Sequence, residues 1–107
     1  IDLSKFQKRV KYQYLKKEFG IAPKTIIVGN IAALVDHKDQ TTLLKAFSLI
    51  PSHRSVKLFI LGEGELETEL KNLARDLNLG DRVVFTGFRK DVLEFLNLFD
   101  IFTLTSK

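Results

Sequence analysis

One stretch decides the fold: Val56-Lys57-Leu58-Phe59-Ile60-Leu61-Gly62-Glu63-Gly64. Its first six residues form a short, mostly apolar run, which predicts a strand buried on both faces, as in a parallel sheet. The glycines end that strand, and an apolar stripe at helical spacing follows it: Leu66, Leu70, Leu73, Ala74 and Leu77. Strand, turn and helix in this order are typical of one unit of an alternating α/β fold.

The same alternation continues on both sides of this unit. Further strands are predicted at residues 25–34, 82–86 and 101–104. Apolar residues at helical spacing predict two more helices, one marked by Leu43, Leu44, Phe47 and Ile50 and the other by Val92, Leu93, Leu96 and Phe99. Asp39 stands at the N-cap of the first of these helices, and Pro51-Ser52 ends it. Gly80 is predicted as the left-handed cap that ends the helix of Leu66 to Leu77. We therefore expect an α/β fold: a Rossmann-like parallel sheet of about four strands with helices on both faces.

The first 24 residues are predicted as a separate, basic helical lead-in to the domain of residues 25–107. A helix over residues 4–19, with Phe6, Val10 and Tyr14 facing inward, is stopped by Gly20 and Pro23. This lead-in carries seven basic and two acidic groups, whereas the remaining 83 residues carry a net charge of −1. A solvated basic helix face explains this imbalance, and we expect no nucleic-acid partner because the folded body is nearly neutral. Salt-sensitive retention of DNA or RNA by residues 1–24 would reverse that expectation.

Length and composition set further bounds on function. A chain of 107 residues suits one domain but is small for a complete enzyme, and a start at Ile1-Asp2 without methionine predicts an excised segment. There is no apolar run of about 18 residues and no leader sequence, so we predict no membrane span. The absence of cysteine excludes disulfides and thiolate metal sites and is compatible with a cytoplasmic setting.

Parallel α/β sheets bind ligands beyond the carboxyl ends of their strands, which directs attention to the loops at residues 33–39, 62–65, 87–91 and 105–107. Gly62-Glu63-Gly64 is a weak match to a dinucleotide fingerprint because Glu67 stands where the third glycine belongs. Glutamates at 63, 65, 67 and 69 would repel phosphate from that helix N-terminus. We therefore predict a structural turn with an acidic helix cap, whose glycines still permit a ligand to approach closely.

The loop after the first strand offers Asn30, His37 and Lys38 just before a helix. A lysine there can place a point charge on a diphosphate near the helix N-terminus. Taken alone, however, Lys38 and His37 are ordinary surface residues. His37 and His53 are too few for a histidine metal site, and His53 precedes a strand, at the end of the sheet opposite to where activity is expected. No nucleophile–base pair is visible, so the residues alone predict only an α/β domain.

Four ordered stretches resemble the C-terminal domain of group 1 (family 4) glycosyltransferases, retaining enzymes with two Rossmann-like domains (the GT-B fold). They are residues 1–6, residues 29–39, residues 58–65 with 79–83, and residues 85–87 with Asp91-Val92 and residues 100–106. Together they span nearly the whole chain. The resemblance implies that residues 25–107 are a partial nucleotide-sugar-binding domain, and that the parent protein needs the rest of its length for catalysis.

The resemblance also implies a donor site. In this family the first loop supplies an arginine and a lysine to the donor diphosphate; Lys38 falls on the lysine position, but Ala33 replaces the arginine and Ala32 the preceding glycine. Asn30, His37 or a group outside this chain is then expected to substitute. The nucleobase is expected near Gly87, with backbone groups of Phe88 and Arg89 at the base edge and the Arg89 side chain on its face. The nucleotide-sugar loops comprise Gly29, Gly62, Gly64, Gly87, Phe88, Arg89 and Ser106.

The implied parent is a hexosyl-type transferase of polysaccharide biosynthesis that uses a nucleoside diphosphate sugar and needs no metal or other cofactor. Its acceptor, a glycan or a lipid-linked sugar, would bind through an N-terminal domain, and its location would be cytoplasmic, with peripheral association at the inner face of the membrane. No catalytic residue is expected within this chain, and the chain alone is expected to be inactive. The alternatives are a nucleotide-sugar epimerase of the same architecture and a non-catalytic α/β binding module such as a receiver domain. A receiver domain would need an acidic pair that residues 29–34 lack.

Overall fold

The computed structural model describes residues 11–105, which form one alternating α/β unit. The helices are α1 (Gln13–Glu18), α2 (Gln40–Ser48), α3 (Glu67–Asp76) and α4 (Val92–Leu98), and the strands are β1 (Ile26–Ile31), β2 (Val56–Leu61), β3 (Val83–Gly87) and β4 (Ile101–Phe102). Short 3-10 turns at Asp36–Lys38 and Gly80–Arg82 precede α2 and β3. The strand predicted at residues 56–61 is confirmed at both ends.

The four strands form one parallel sheet in the order β3-β2-β1-β4. β1 and β2 pair along their whole length, from Ile26 opposite Val56 to Ile31 opposite Leu61. The chain therefore builds outward from β1 to β3 and then returns to the other side of β1. Such a reversal of strand order is the switch point at which parallel sheets bind ligands.

Apolar residues of β2 alternate between two cores, because successive side chains of a strand point to opposite faces. Leu58 and Ile60 pack with α2 and α3 on one face, and Phe59 and Leu61 pack with α1 and α4 on the other. Leu58, Phe59 and Ile60 have no exposed surface. Helices thus cover both faces of the sheet, which confirms the predicted fold class.

The predicted inward face of α1 is wrong, and α4 packs against the sheet through two residues that were not used to predict it. Tyr14 was expected inward but is 46% exposed, and Leu15 is buried instead. In α4 the exposed residues include Leu93 and Leu96, whereas Phe95 and Leu98 face the sheet. The reason is aromatic packing: the Phe95 ring lies 6.1 Å from Phe59 and 6.0 Å from Phe19 between centroids, and this contact sets the rotation of the helix.

The cap of α3 is also not where the glycine predicted it. Asn78 takes the left-handed conformation (φ 58°), and its N–H donates to Arg75 O while that of Leu79 donates to Ala74 O. This pair of bonds is a Schellman motif, in which asparagine can replace glycine. Gly80 has a positive φ too, but it begins the 3-10 turn that leads into β3.

The last strand is shorter than predicted, since β4 comprises only Ile101–Phe102. It lies at the edge of the sheet beside β1, and both its residues are about half exposed. Within residues 11–105, no helix combines the length and apolarity needed to cross a bilayer. Phe6 and Val10, predicted inward on the lead-in helix, lie outside the described residues.

Candidate functional site

A cavity of about 240 Å³ opens at the carboxyl edge of the sheet. The ends of β1 and β2 and the loop after β3 enclose it, and its walls are mostly apolar: Ile31, Ala32, Ala33, Leu61, Gly62, Phe88, Arg89 and Val92. Three of the four predicted ligand loops therefore meet at one place. With small alanines at 32 and 33, the cavity has room where a longer side chain would project.

The loops after β1 and β2 are joined backbone to backbone. Ala32 N–H donates to Leu61 O (3.0 Å), and Leu66 N–H donates to Leu34 O (3.1 Å). A Cβ atom at Gly62 would overlap the Ala32 carbonyl oxygen, and one at Gly64 would lie 2.5 Å from the oxygen of Leu34. The close approach that these glycines permit is thus used by the protein's own backbone, as the predicted structural turn requires.

The loop carrying Lys38 turns away from this cavity toward the end of β4. Lys38 is half-buried and ends the 3-10 turn of Asp36–Lys38, and its carbonyl accepts a 2.6 Å hydrogen bond from the Thr105 hydroxyl. His37 is exposed beside it. Neither side chain lines the cavity: Lys38 and His37 lie farther along the loop whose Ala33 forms part of its wall, at the switch point between β1 and β4.

Asn30 and Gly29 are buried at the same switch point. The Asn30 side chain is 1% exposed and donates from Nδ2 to the Thr103 carbonyl at 3.1 Å, and Thr103 N–H donates to Gly29 O at 2.8 Å. The Gly29 hydrogen faces the Phe99 ring. In this arrangement both residues hold β4 against β1, and Asn30 is shielded from solvent.

Gln40, which was not among the predicted site residues, holds the loop at its other end. It begins α2, is 1% exposed, and donates from Nε2 to the carbonyl of Ala33 at 3.1 Å. Asp39 stands at the predicted N-cap, but its backbone is left-handed and its side chain does not cap the helix. The first N–H groups of α2 therefore have no side-chain cap. In the sequence, only its place as a polar residue at the start of the predicted helix indicates that Gln40 could bind the preceding loop.

The side chain of Arg89 is bound by other residues, whereas the side chain of Phe88 is exposed. The Arg89 guanidinium donates to both carboxylate oxygens of Glu18 (2.6 and 3.1 Å) and to both of Asp91 (2.9 Å each). It also lies 5.1 Å from the centre of the Phe95 ring. To stack on a base, Arg89 would have to leave these partners. Phe88 is 66% exposed at the cavity wall and has an accessible ring.

These contacts shift the pKa of each partner. Hydrogen bonds from Arg89 hold the pKa values of Asp91 and Glu18 below their usual ranges, and the bond donated by the Tyr14 hydroxyl lowers that of Asp91 further. The same bond, 2.7 Å long, raises the pKa of Tyr14 to about 12. All four groups therefore stay in their bonded protonation states at neutral pH. The cluster is not visible in the sequence because its two halves, Tyr14 with Glu18 and Arg89 with Asp91, lie 71 to 77 positions apart.

Of the remaining predicted residues, Gly87 ends β3 with a positive φ of 71°, and its carbonyl accepts a hydrogen bond from Gly62 N–H. Ser106 lies outside the described residues.

Comparison with known proteins identifies the family of the chain. The family model of the glycosyl transferases group 1 matches residues 12–107. The chain belongs to this family. The epimerase and binding-module alternatives are not favoured, because the matched relatives are glycosyltransferases.

Relatives of this group 1 glycosyl transferase chain include a lipopolysaccharide core biosynthesis glycosyltransferase, LpsE, of Rhizobium meliloti, 35% identical over 75% of the chain and 23% of the relative. An N-acetylgalactosamine-N,N'-diacetylbacillosaminyl-diphospho-undecaprenol 4-alpha-N-acetylgalactosaminyltransferase of Campylobacter jejuni is 30% identical over 80% of the chain and 23% of the relative. The crystal structure of Anabaena HepE in complex with UDP-glucose has a TM-score of 0.78 and 29% identity, covering 89% of this chain and 27% of that one. The chain thus spans about a quarter of the length of these relatives.

Proposed function

We propose that this chain is the donor-binding portion of a retaining glycosyltransferase that transfers a hexosyl group from a nucleoside diphosphate sugar. The observation that carries the proposal is the apolar cavity at the carboxyl edge, adjacent to the lysine loop at the switch point. An apolar cavity suits a nucleobase, and a lysine beside it suits a diphosphate. The bound UDP-glucose of HepE supports the same class of ligand.

In this proposal the base lies in the cavity and stacks on the exposed ring of Phe88. Arg89 supports the wall while its charge remains paired with Glu18 and Asp91. In this proposal Phe88, and not Arg89 as predicted from the sequence, stacks on the base. The backbone groups of Phe88 and Arg89 contact the edge of the base.

The diphosphate then lies between Lys38 and the uncapped first turn of α2. Among residues 11–105, the ion pairs of the structure involve Glu18, Glu67, Asp76 and Asp91 with their partners, and Lys38 is in none of them. Its charge is available to a ligand. Catalysis would rest on positioning and on stabilising the departing diphosphate, with basic side chains in the role that a metal takes elsewhere.

Acceptor and location are proposed from the relatives. One relative is named for lipopolysaccharide core biosynthesis and another for a diphospho-undecaprenol-linked sugar, and these names favour a glycan or lipid-linked acceptor in polysaccharide biosynthesis. We place the parent protein in the cytoplasm, in peripheral contact with the inner face of the membrane. The acceptor would bind through a domain other than this one.

The experiment is a titration of the ¹⁵N-labelled chain with UDP, GDP and ADP, followed by NMR. Saturable shifts confined to residues 29–38, 62–65 and 87–91 are expected, with uridine alone shifting only the cavity residues. Lys38→Gln should weaken UDP binding about tenfold, the loss of one charge-assisted contact, whereas Lys45→Gln on the exposed face of α2 should not. Equal affinity of the Lys38→Gln and wild-type chains would contradict the diphosphate site, and donor turnover by the chain alone would contradict its expected inactivity.

A further inference from the structure

A second depression, of about 320 Å³, lies at the opposite, amino edge of the sheet. It is formed by the loop of residues 51–55 before β2, by Thr25 before β1 and by the turn before β3. We call it the amino-edge depression. The sheet separates it from the candidate donor cavity, and no role of the donor site involves its residues.

The amino-edge depression is rich in unpaired positive charge. Arg54, Lys57 and Arg82 line it together with His53, and Asp81 supplies the one carboxylate of the lining. Among residues 11–105, none of these three cations takes part in an ion pair of the structure. Three cations therefore face one acid, which leaves a local excess of positive charge.

Two of these cations are held in place by neutral groups. Lys57 Nζ donates to the backbone carbonyl of Asp81 (3.1 Å), and Arg82 Nη2 donates to the backbone carbonyl of Ile50 (3.0 Å). The Arg82 guanidinium also lies 5.2 Å from the centre of the Phe47 ring. These contacts order the side chains without neutralising them, so a ligand need not order them itself.

Hydroxyl groups complete the lining. The Thr25 and Ser55 hydroxyls are hydrogen-bonded to each other at 2.8 Å, and Ser52 lies in the same wall. When two hydroxyls share one hydrogen bond, the accepting partner keeps its own proton free to donate. The depression thus joins charged and neutral hydrogen-bond donors around one space.

We propose that the amino-edge depression binds a phosphate group, either as a free phosphate-class anion or as the headgroup phosphate of an anionic lipid. A phosphate accepts several hydrogen bonds at once, which matches converging cations and hydroxyls better than a single carboxylate would. Arg54 and Lys57 carry most of the recognition. Arg82 contributes charge from a fixed position.

The first test titrates the ¹⁵N-labelled chain with inorganic phosphate at constant ionic strength. Saturable shifts are expected at residues 52–57 and 81–82. The double substitution Arg54→Gln and Lys57→Gln should weaken this binding at least about tenfold, whereas Lys45→Gln should leave it unchanged. Arg82 is left intact because its bond to Ile50 supports the fold. Shifts that rise without saturation, or equal affinity in the double variant, would overturn the proposal.

A second test distinguishes the two sources of the phosphate and separates this site from the donor site. Cosedimentation with phosphatidylglycerol vesicles, absent with phosphatidylcholine and lost in the double variant, would assign a lipid headgroup; saturation by inorganic phosphate alone would assign the free anion. Lys38→Gln should abolish neither form of binding. If Lys38→Gln removes the shifts at residues 52–57, the amino-edge site is refuted while the donor site is not.

Discussion

The guanidinium of Arg89 and the carboxylate of Glu18 form a bidentate ion pair across 71 positions of sequence, with N–O distances of 2.6 and 3.1 Å. Arg89 belongs to the loop after β3, and Glu18 ends α1. Asp91 binds the same guanidinium and accepts a hydrogen bond from Tyr14, again on α1. The helix before the sheet is thus attached by side-chain hydrogen bonds to the loop that walls the candidate donor cavity.

Replacing Arg89 by alanine should lower the free energy of unfolding by about 2 kcal/mol, since hydrogen bonds to charged groups are lost and two carboxylates are left facing each other. The partial exposure of Glu18 keeps this figure moderate. Urea denaturation measures it, and Lys90→Ala, at the exposed neighbouring residue, is the matched control. Equal losses in both variants would mean that the cluster does not hold α1 in place.

The stability supplied by Asp91 should depend on acid pH. Its pKa is lowered in the folded chain, so its contribution is fully present above the ordinary aspartate range, about pH 4, and is lost as pH falls through the lower folded value. Unfolding free energies of the wild type and of Asp91→Asn, compared from pH 7 downward, should differ by a constant amount to about pH 4 and then converge. A difference that grows on acidification would contradict the predicted direction of the pKa shift.

Gly62→Ala should destabilise the chain more than Gly20→Ala. Both glycines have positive φ angles, 133° and 61°, but only the new Cβ at Gly62 meets the Ala32 carbonyl, while that at Gly20 meets nothing within 4 Å. We expect a loss of about 1 kcal/mol at Gly20 and of about 3 kcal/mol at Gly62. Chemical denaturation of both variants checks the order; a reversed order would show that the two loops are free to separate.

Ala33→Arg should strengthen UDP binding about tenfold by restoring the charge expected at this position in the family. Ala33 is exposed at the cavity wall, so the longer side chain can project without displacing the core. Calorimetry with UDP and with uridine separates a gain on the phosphates from a gain on the base. Ala46→Arg, on the exposed side of α2, controls for overall charge, and an equal gain there would exclude a local effect.

Much of the fold follows from local sequence patterns. The boundaries of β2 coincide with its mostly apolar run, because a strand that becomes buried on both faces needs apolar side chains over its buried residues, here Leu58 to Leu61, and the glycines after it cannot be replaced without a clash. The alternation of strands and helices likewise predicts a parallel sheet, and the family pattern in residues 29–39 identifies the loop that holds Lys38. These are properties of neighbouring residues and need no knowledge of the folded chain.

Tertiary structure alone decided which residues face one another. In the sequence, Arg89 is a cation in a loop, but folding brings Glu18 to it, and the two side chains form an ion pair. Phe95 rather than Leu96 faces the sheet because Phe19 and Phe59 contact it there. Asn78 rather than Gly80 caps α3 because its left-handed backbone lets the N–H groups of Asn78 and Leu79 close the two final hydrogen bonds. Periodicity predicts which residues share a face of a helix or strand. Contacts between distant residues depend on the path of the whole chain, and that path is fixed only when the two cores on either side of the sheet are packed.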